Sequence, residues 1–296
     1  MRGRRSTALG PEGAMGMPRR PGNGPLDGSL NGLLKGLLKG LLKGLLKGLM
    51  ALAGLLSTVS AATAAGPSAF SMMSPQLQAM QRDDSLNPGM LWVLDGQARW
   101  SRAEGAAGKA CADCHGTTPA ERLRGVAAAY PAWDAATGRT INLGERIAVC
   151  RNRHQGVREP SAPDALLALE AAVAHASRGQ PVTPPEDPRL QPWRARGQAL
   201  WQQRIGQLDL SCAQCHDERV GRRLGGSLIP PGHAAGYPTY RLEWQALGSL
   251  QRRIRNCNTG VRAEPWMPGS DELRALEVYM AWRERGLPVE APAVRP

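Results

Sequence analysis

Aromatic side chains are scarce in this sequence. They make up 4% of the 296 residues and include a single Phe, although 42% of the residues are hydrophobic. A chain of this length can form one large or two ordinary domains. Its hydrophobic content, together with 21% charged residues, excludes wholesale disorder. A core of that size with so few aromatic rings indicates that another large apolar group fills part of the interior.

The apolar run near the N-terminus, residues 48–59, is shorter than the about 20 residues of a transmembrane helix. Four copies of Gly-Leu-Leu-Lys precede it over residues 32–47, and Ala62-Thr63-Ala64 follows it. A basic region, a short apolar region and an Ala-x-Ala string are the parts of a secretory signal, although Lys at every fourth residue also fits an amphipathic surface helix. We expect residues 1–65 to be a cleaved signal peptide, the mature protein to be periplasmic, and no stable membrane span.

The net charge of +12 is distributed unevenly along the chain. Residues 1–65 hold nine Lys and Arg against Glu12 and Asp27, a net charge of +7. The remainder holds 28 basic and 23 acidic residues, a net charge of +5. No Lys/Arg patch with interleaved aromatic residues stands out as a nucleic-acid footprint. We therefore expect no nucleic-acid partner.

Six cysteines form two matching sets, and each set begins with Cys-x-x-Cys-His. The motifs are Cys111-Ala-Asp-Cys114-His115 and Cys212-Ala-Gln-Cys215-His216. This pentapeptide is the attachment site of a c-type haem, in which both thiols bond to the vinyl groups and the adjacent His binds the iron. We therefore expect two covalently bound c-type haems, attached through Cys111, Cys114, Cys212 and Cys215 and ligated by His115 and His216.

Two other kinds of site contain Cys-x-x-Cys pairs. A structural zinc site draws its pairs from within about 20 residues, but these pairs are 101 residues apart. A thioredoxin-like motif needs no His at its fifth position, and no βαβ pattern surrounds either motif. A haem fits both motifs and explains the shortage of aromatic residues, because a porphyrin is itself a large apolar element of a core.

The remaining cysteines, Cys150 and Cys257, follow the two motifs in the same order. Arg146-Ile147-Ala-Val-Cys150 aligns with Arg253-Ile254-Arg-Asn-Cys257, and a predicted helix begins sixteen residues after each cysteine. The apolar positions of these helices follow an i, i+3, i+7 pattern: Leu166, Leu169 and Val173 in one, and Leu273, Leu276 and Met280 in the other. Each half therefore has the order of elements of a cytochrome c domain: a haem motif, a ligand-bearing segment and a closing helix.

We interpret the chain as an internal duplication. The predicted fold is mostly α-helical, with two tandem cytochrome c-like domains after the signal peptide. The first domain is expected over residues 66–183 and the second over residues 184–296.

The residue on the other side of each iron stays open at this point. Candidates for the first haem are Cys150, His154, His175 and Met90, and candidates for the second are Cys257, Met267 and His233. A disulfide between Cys150 and Cys257 is the alternative in an oxidising compartment. Because these two cysteines are matched between the halves, we expect thiolate ligation of both haems. A thiolate favours ferric iron, which suits a site where sulfur itself reacts better than a plain electron carrier.

Arg146 and Arg253 each precede their cysteine by four residues. On a helix this spacing places guanidinium and sulfur on one face. The cation would stabilise a thiolate and could hold an oxyanion substrate through paired hydrogen bonds. The repetition by itself does not indicate which haem is catalytic.

Two segments resemble the SoxA family, the dihaem cytochrome c subunits of the bacterial thiosulfate-oxidising complex. Residues 232–257, GHAAGYPTYRLEWQALGSLQRRIRNC, are similar to that family's second-haem region, and residues 142–155, NLGERIAVCRNRHQ, to its first-haem ligand segment. The resemblance covers roughly residues 80–287. Some family members lack the first haem, but the first attachment motif is intact in this chain.

The resemblance implies L-cysteine S-thiosulfotransferase activity: the oxidative coupling of thiosulfate to a cysteine of a SoxYZ-like carrier protein. It also implies a SoxX-like monohaem cytochrome as partner in a heterodimer, and a cytochrome c acceptor for two electrons. In that family the cysteine matching Cys257 ligates the second, catalytic haem, carries a persulfide and forms the covalent intermediate. The arginine matching Arg253 binds the substrate, and Cys150 matches the ligand of the first haem.

Two other functions remain open from the residues. A dihaem electron-transfer cytochrome without a substrate site would have His/Met or bis-His ligation. A dihaem peroxidase would need an open iron position and a nearby catalytic acid, and no such pair is visible in the sequence.

Overall fold

The computed structural model describes residues 32, 34–45, 67–158 and 163–296, and the chain divides into residues 1–63 and 64–296. Residues 32 and 34–45 are helical and exposed. The apolar run and the Ala-x-Ala string of the expected signal peptide lie outside the described residues, so its cleavage stays a prediction. No helix in the described part of the chain is long and apolar enough to cross a membrane.

The first half of the larger unit is mainly helical. Its elements are α1 (Pro75–Arg82), α2 (Met90–Trp100), α3 (Ala112–His115), α4 (Pro119–Leu123), a 3-10 turn (Val126–Ala129), β1 (Ala132–Asp134), β2 (Arg139–Ile141), α5 (Leu143–Gln155) and α6 (Pro163–Ala176). β1 and β2 form an antiparallel hairpin that leads directly into α5. The cysteine expected to ligate the first haem, Cys150, therefore lies on a helix.

The second half repeats this order. After a 3-10 turn (Pro188–Leu190), its elements are α7 (Gln191–Gln202), α8 (Cys212–His216), β3 (Arg223–Leu224), β4 (Ser227–Leu228), β5 (Thr239–Arg241), β6 (Ala246–Gly248), α9 (Leu250–Gly260), α10 (Asp271–Arg283) and β7 (Ala293–Arg295). The small β3–β4 hairpin follows the second haem motif and interrupts the repeat. Helix α9 carries Cys257 as α5 carries Cys150.

Side-chain caps start both cysteine-bearing helices. The Oδ1 atom of Asn142 accepts a hydrogen bond from the backbone N–H of Glu145 at 2.8 Å, and the carboxylate of Glu145 accepts one from the N–H of Asn142 at 3.1 Å. The hydroxyl of Ser249 accepts a hydrogen bond from the N–H of Arg252 at 3.3 Å. These caps satisfy N–H groups that a helix start leaves without partners. The helical spacing predicted for each arginine and its cysteine is therefore present.

Each half is closed by a pair of crossing helices, α2 with α6 and α7 with α10. Gly96 and Gly197 lie at the crossings, where an added Cβ atom would overlap the carbonyl oxygens of Ala168 and Ala275. The predicted apolar stripes lie on the buried faces of α6 and α10: Leu169, Val173, Leu273, Leu276 and Met280 are buried, and Leu166 is partly buried. The helices start at residues 163 and 271, a few positions before the predicted starts. The mostly helical fold with two cytochrome c-like segments is confirmed.

Reciprocal hydrogen bonds join the two halves. The N–H of Gly179 donates to the carbonyl of Val289, and the N–H of Gly286 donates to the carbonyl of Val182, each at 2.9 Å. Equivalent positions of the repeat thus exchange equivalent bonds. Strand β7 runs parallel to β5 and antiparallel β6 lies on the other side of β5. Residues 64–296 form one unit, and the boundary expected between residues 183 and 184 stays a prediction.

Candidate functional site

Both Cys-x-x-Cys-His motifs lie on short helices, α3 and α8, at the edge of an apolar cluster. Cys111 packs against the cluster around Trp100, and Cys212 packs against the cluster around Trp201. The helical turn sets the two thiols and the His of each motif side by side. All six cysteines are free thiols in the structure. Each motif therefore presents two unbonded thiols and an imidazole beside an apolar surface.

The imidazole of His216 has a fixed orientation. Its Nδ1–H donates a hydrogen bond to the carbonyl oxygen of Pro230 at 2.7 Å, which leaves Nε2 as the acceptor nitrogen because a carbonyl can only accept. Burial lowers the pKa of His216, the hydrogen bond to Pro230 opposes this shift, and the nearby Arg253 lowers the pKa further. A neutral imidazole with a free Nε2 is the form that binds a metal.

A glycine lies against the same imidazole. Gly232 has φ +62°, and a Cβ atom added there would lie 2.6 Å from Cη2 of Trp201 and 3.0 Å from Cβ of His216. Only glycine combines this left-handed conformation with so close an approach. The chain between Pro230 and Gly232 therefore packs against His216 and holds its Nδ1 atom, which leaves Nε2 as the nitrogen that would bind an iron.

A tryptophan accompanies each motif histidine. The rings of Trp100 and His115 have centroids 5.8 Å apart, and the rings of Trp201 and His216 are also 5.8 Å apart. The indole N–H of Trp100 donates to the carbonyl of Gly116, and that of Trp201 donates to the carboxylate of Asp217, both at 2.8 Å. The two centres therefore share the same aromatic support.

Each third cysteine lies beside the haem motif of its own half. Burial raises the pKa of Cys150, the neighbouring Cys114 raises it further, and Arg146 lowers it. In the second half, burial raises the pKa of Cys212 to about 12, and the neighbouring Cys257 adds to this shift. Cys150 and Cys257 are not joined to each other. The arrangement agrees with a ligand role for each and not with the disulfide alternative.

The other first-half candidates for an iron ligand lie elsewhere. His154 is exposed on α5. The Nε2 atom of His175 lies 3.6 Å from a carboxylate oxygen of Asp84. The sulfur of Met90 accepts a contact from the guanidinium of Arg178 at 3.4 Å. Among these candidates, Cys150 is the one whose pKa is affected by a motif cysteine, Cys114.

The other second-half candidates also have different surroundings. Met267 is 72% exposed, so its sulfur faces solvent. His233 follows Gly232, and its pKa is lowered to about 4 by burial and by the neighbouring Arg283 and His216. It therefore lies near His216, which would itself be the ligand on that side of a bound haem. These positions leave Cys257 as the candidate opposite His216.

The helices that carry Cys150 and Cys257, α5 and α9, begin beside the same buried carboxylate. Glu277 of α10 is 4% exposed and accepts hydrogen bonds from Nδ2 of Asn142 and Nε2 of Gln251, each at 3.1 Å. Burial raises the pKa of Glu277 to about 8, although both hydrogen bonds oppose the shift, and Glu145 adds to it. A cavity of about 250 Å³ adjoins this carboxylate, and Glu284 also lines it. The first turns of α5 and α9 are thus tied to the same side chain.

The two arginines expected beside the cysteines have different counter-ions. Arg146 donates from Nη2 to Oδ1 of Asp134 at 2.9 Å, and the Asp134 side chain is buried. Nη1 of Arg253 lies 3.7 Å from Oε1 of Glu243, whose side chain is 46% exposed. Arg146 thus has a short ion pair with a buried carboxylate, whereas Arg253 has a longer ion pair with an exposed carboxylate.

Sequence reasoning missed the supports of His216 and the shared Glu277. Pro230 and Gly232 carried a signal, because Gly232 begins the segment that resembles a second-haem region. Glu277 carried none, since it lies in a helix identified by its apolar stripe alone. Its role depends on a contact between halves that are distant in sequence.

The donor sets fit c-type haem. Two thiols and one imidazole are available in each half, His216 is held with Nε2 free, and Gly232 leaves room for the imidazole where a larger residue would not. A third cysteine in each half, Cys150 or Cys257, is a further thiol that could ligate a haem iron. The residues present therefore match a haem at each motif.

Comparison with known proteins agrees with this arrangement. Residues 95–182 and 196–289 match the family model described as SoxA/TsdA, cytochrome c domain. The chain is 41% identical to the L-cysteine S-thiosulfotransferase subunit SoxA of Pseudaminobacter salicylatoxidans, over 78% of this chain and 81% of that protein. It is 37% identical to the subunit of the same name from Rhodovulum sulfidophilum, over 77% and 79% of the two chains.

A solved structure also has this fold. The crystal structure of SoxXA from P. pantotrophus aligns with a TM-score of 0.73 and 31% identity, covering 77% of this chain and 86% of that one. The two segments that match the cytochrome c family model lie in the two halves of the repeat, and each contains one Cys-x-x-Cys-His motif. The chain belongs to the SoxA family of haem-binding L-cysteine S-thiosulfotransferase subunits.

Proposed function

We propose that this chain joins thiosulfate oxidatively to a cysteine of a carrier protein, with Cys257 as the reacting sulfur. In the overall reaction a sulfur–sulfur bond forms between thiosulfate and the carrier thiol. The thiol loses its proton, and two electrons leave to a cytochrome c acceptor. The names of the relatives support thiosulfotransferase activity, and the geometry around Cys257 supports this residue as its centre.

Two covalently attached haems are part of the proposal. Cys111 and Cys114 would attach the first and Cys212 and Cys215 the second, with iron ligands His115 and Cys150 in one half and His216 and Cys257 in the other. When bound, a haem accepts electrons from the sulfur chemistry one at a time. The protein orients His216 through Pro230, and it keeps Cys111 and Cys212 at the edges of the two apolar clusters.

Cys257 and Arg253 would divide the remaining work. Cys257 would act as the nucleophile in the form of a persulfide, which is a reversible modification of the cysteine sulfur. Arg253 would bind the sulfonate end of thiosulfate through its two-pronged guanidinium. A cation is needed there, since a dianion must approach an electron-rich sulfur. The longer ion pair of Arg253, 3.7 Å from a carboxylate that is itself largely in solvent, is the observation that carries this assignment.

The proposal includes partners and a location. The match to a SoxXA structure supports a SoxX-like monohaem cytochrome as the second subunit of a heterodimer. The relatives' name, L-cysteine S-thiosulfotransferase, supports a cysteine thiol as the substrate, and we propose that a SoxYZ-like carrier provides it. Oxidative chemistry of this kind, and covalent haem attachment, fit the periplasm. Residues 1–65 would then be the signal peptide that directs the chain there.

Reconstitution tests the function directly. The haem-loaded heterodimer is incubated with thiosulfate, oxidised cytochrome c and the carrier protein, and the carrier mass and the cytochrome absorbance are followed. We expect one thiosulfate-derived group on the carrier for every two cytochrome molecules reduced. Cytochrome reduction by another donor without any carrier modification would favour a dihaem electron-transfer cytochrome instead.

Spectroscopy and mass tests address the haems separately. Intact mass of the periplasmic protein is expected to include two haem additions on a chain that starts near Ala65 or Gly66, and a single addition would contradict the dihaem proposal. Low-temperature spin resonance should give the compressed g-values of low-spin, thiolate-ligated ferric haem. A pure His/Met or bis-His signature would contradict ligation by Cys150 and Cys257.

A further inference from the structure

The hairpin and ligand helix of the two halves correspond residue by residue. Residues 130–150 align without gaps to residues 237–257, a separation of 107 positions throughout. The backbone keeps the same register: Ala132 pairs with Ile141 in one hairpin, and Thr239 pairs with Gly248 in the other. Equivalent positions can therefore be compared as if they were variants of one site.

The charges at these equivalent positions differ. Residues 130–146 contain two acidic and two basic residues and have no net charge, whereas residues 237–253 contain one acidic and three basic residues, a net charge of +2. The residue equivalent to Asp134 is Arg241. The carboxylate that neutralises Arg146 in the first half is thus replaced by a second guanidinium beside Arg253.

The two second-half guanidinium groups lie next to each other. Nε of Arg241 is 2.7 Å from Oε1 of Glu243, and Nη1 of Arg253 is 3.7 Å from the same oxygen atom. The Arg241 side chain is only 12% exposed, and its guanidinium lies over the ring of Trp244 at 5.3 Å. The partly exposed carboxylate of Glu243 is therefore the counter-ion of both Arg241 and Arg253, and this cluster has an excess of positive charge.

This pair lies near the reacting sulfur. Arg253 precedes Cys257 by four residues on α9, so their side chains leave the same face of the helix. Arg241 shares the carboxylate oxygen of Glu243 with Arg253, which places both guanidinium groups on this side of the helix. A group bound between the arginines would be close to Cys257.

We propose that Arg241 is a second anion-binding residue, which together with Arg253 makes the second centre selective for a dianionic sulfur oxyanion such as thiosulfate. The inference rests on the proposed function and deepens it. Glu243 acts as the exchangeable counter-ion of the pair when the substrate is absent. The first centre lacks this selectivity because Asp134 occupies the equivalent position and neutralises Arg146.

The physical basis is the charge of the ligand. Two converging guanidinium groups can offer several charge-assisted hydrogen bonds to a sulfonate. A dianion interacts with both cations, so it gains more than a monoanion of similar shape, and this advantage falls as salt increases. The pair therefore provides discrimination by charge as well as by geometry.

The test is to give the second centre the first centre's residue. Arg241→Asp in the haem-loaded heterodimer should pair with Arg253, as Asp134 pairs with Arg146. We expect kcat/KM for thiosulfate to fall about 100-fold, mainly through KM, because charged hydrogen bonds of this kind are lost. Calorimetric titration with thiosulfate in the absence of carrier should give a comparable loss of affinity, while the haem spectrum and haem content stay unchanged.

Two further variants keep the test informative if Arg241→Asp does not fold. Arg241→Lys keeps the charge without the fork and should lose about 10-fold in affinity. Glu243→Gln removes the competing carboxylate and should bind thiosulfate a few-fold more tightly, the opposite direction. Arg204→Gln is the matched control, because Arg204 is exposed and pairs with Asp209, and it should leave the affinity unchanged.

The outcomes separate this inference from the proposed function. If the wild-type complex couples thiosulfate but Arg241→Asp or Arg241→Lys keeps the wild-type KM and affinity, Arg241 is not an anion-binding residue and the proposed function stands. If the wild-type complex does not couple thiosulfate, the proposed function fails, and the titrations alone decide whether the pair binds dianions. Equal loss of affinity for thiosulfate and for monovalent thiocyanate would overturn the selectivity.

Discussion

The two halves of this protein have the same backbone plan around their third cysteines but different charges. In the first half Arg146 is neutralised by the buried Asp134 at 2.9 Å. In the second half Arg253 lies beside another arginine, and both share Glu243. In the first half the charge of Arg146 is balanced by one carboxylate, whereas in the second half two arginines share one carboxylate. The duplication therefore allows the features that both halves share to be compared with the positive charges that only the second half has, which we propose attract an anionic substrate.

The supports of the motif histidines differ as well. An added Cβ at Gly232 would meet Trp201 and His216, but one at the equivalent Gly125 would have no neighbour within 4 Å. The second half also contains the β3–β4 hairpin between its haem motif and this glycine, six residues that the first half lacks. Most of the specialisation is concentrated in the second half, and each of these contrasts can be tested with matched variants.

The largest expected effect follows exchange of the third cysteines. Cys257→Met keeps a possible iron ligand but removes the nucleophile, so we expect haem to remain and thiosulfate coupling to fall by at least about 1,000-fold. Cys150→Met should mainly change the spectrum and stability of the first haem. Coupling activity and absorbance spectra of both variants are the measurements. If Cys257→Met keeps near-normal turnover while Cys150→Met loses it, the active site lies on the first haem.

Exchange of the paired arginines should have the next largest effect. Arg253→Lys keeps the charge but loses the two-pronged geometry, so kcat/KM for thiosulfate should fall about 10- to 100-fold with little change in the haem spectrum. Arg146→Lys is the matched variant and should change activity by less than about two-fold, because its guanidinium is committed to Asp134. Equal losses in both variants would remove the functional distinction between the two centres.

The glycine contrast predicts a difference in stability. Gly232→Ala should destabilise the second half by about 2–3 kcal/mol, since a left-handed φ for a residue with a Cβ adds to the overlap with Trp201 and His216. Gly125→Ala should lower the free energy of unfolding by only about 1 kcal/mol, because the strain of a left-handed φ is its only cost. Thermal unfolding and haem content of both variants measure this. Similar behaviour of the two variants would contradict the role assigned to Gly232.

The smallest effect concerns the contact that both ligand helices share. The pKa of Glu277 is raised to about 8, so between about pH 4.5 and pH 8 the folded protein holds a proton that the unfolded chain has lost. The stability contribution of this group is complete below about pH 4.5 and falls as pH rises, by up to about 1.4 kcal/mol per pH unit, until the loss levels off above about pH 8.

A neutral side chain at position 277 should flatten this dependence. Glu277→Gln keeps an acceptor oxygen for Asn142 and Gln251, and we expect a smaller loss of unfolding free energy between pH 5.5 and pH 8.5 than in the wild type. Denaturant titrations across this range provide the measurement. Glu186→Gln serves as the control because Glu186 is exposed. An unchanged slope for Glu277→Gln would show that the carboxyl is not protonated in the folded state.

Much of the site could be predicted because its chemistry is local in sequence. Cys111, Cys114 and His115 lie within one helical turn, as do Cys212, Cys215 and His216, so spacing alone identified both centres. Arg253 and Cys257 share a helix face because they are four residues apart. The support of His216 by Pro230 was less accessible, since fourteen residues and an extra hairpin separate them.

The sequence by itself determined the duplication, the two haem motifs, the apolar faces of the closing helices and the helical pairing of arginine with cysteine. Each of these depends on neighbours along the chain or on a repeated pattern. Only the tertiary structure decided which arginine is neutralised, that Met267 faces solvent, and that Asn142 and Gln251 meet at Glu277. Those outcomes depend on which charged and polar groups from distant segments become neighbours when the two halves pack, and the cost of burying an unpaired charge then determines their partners.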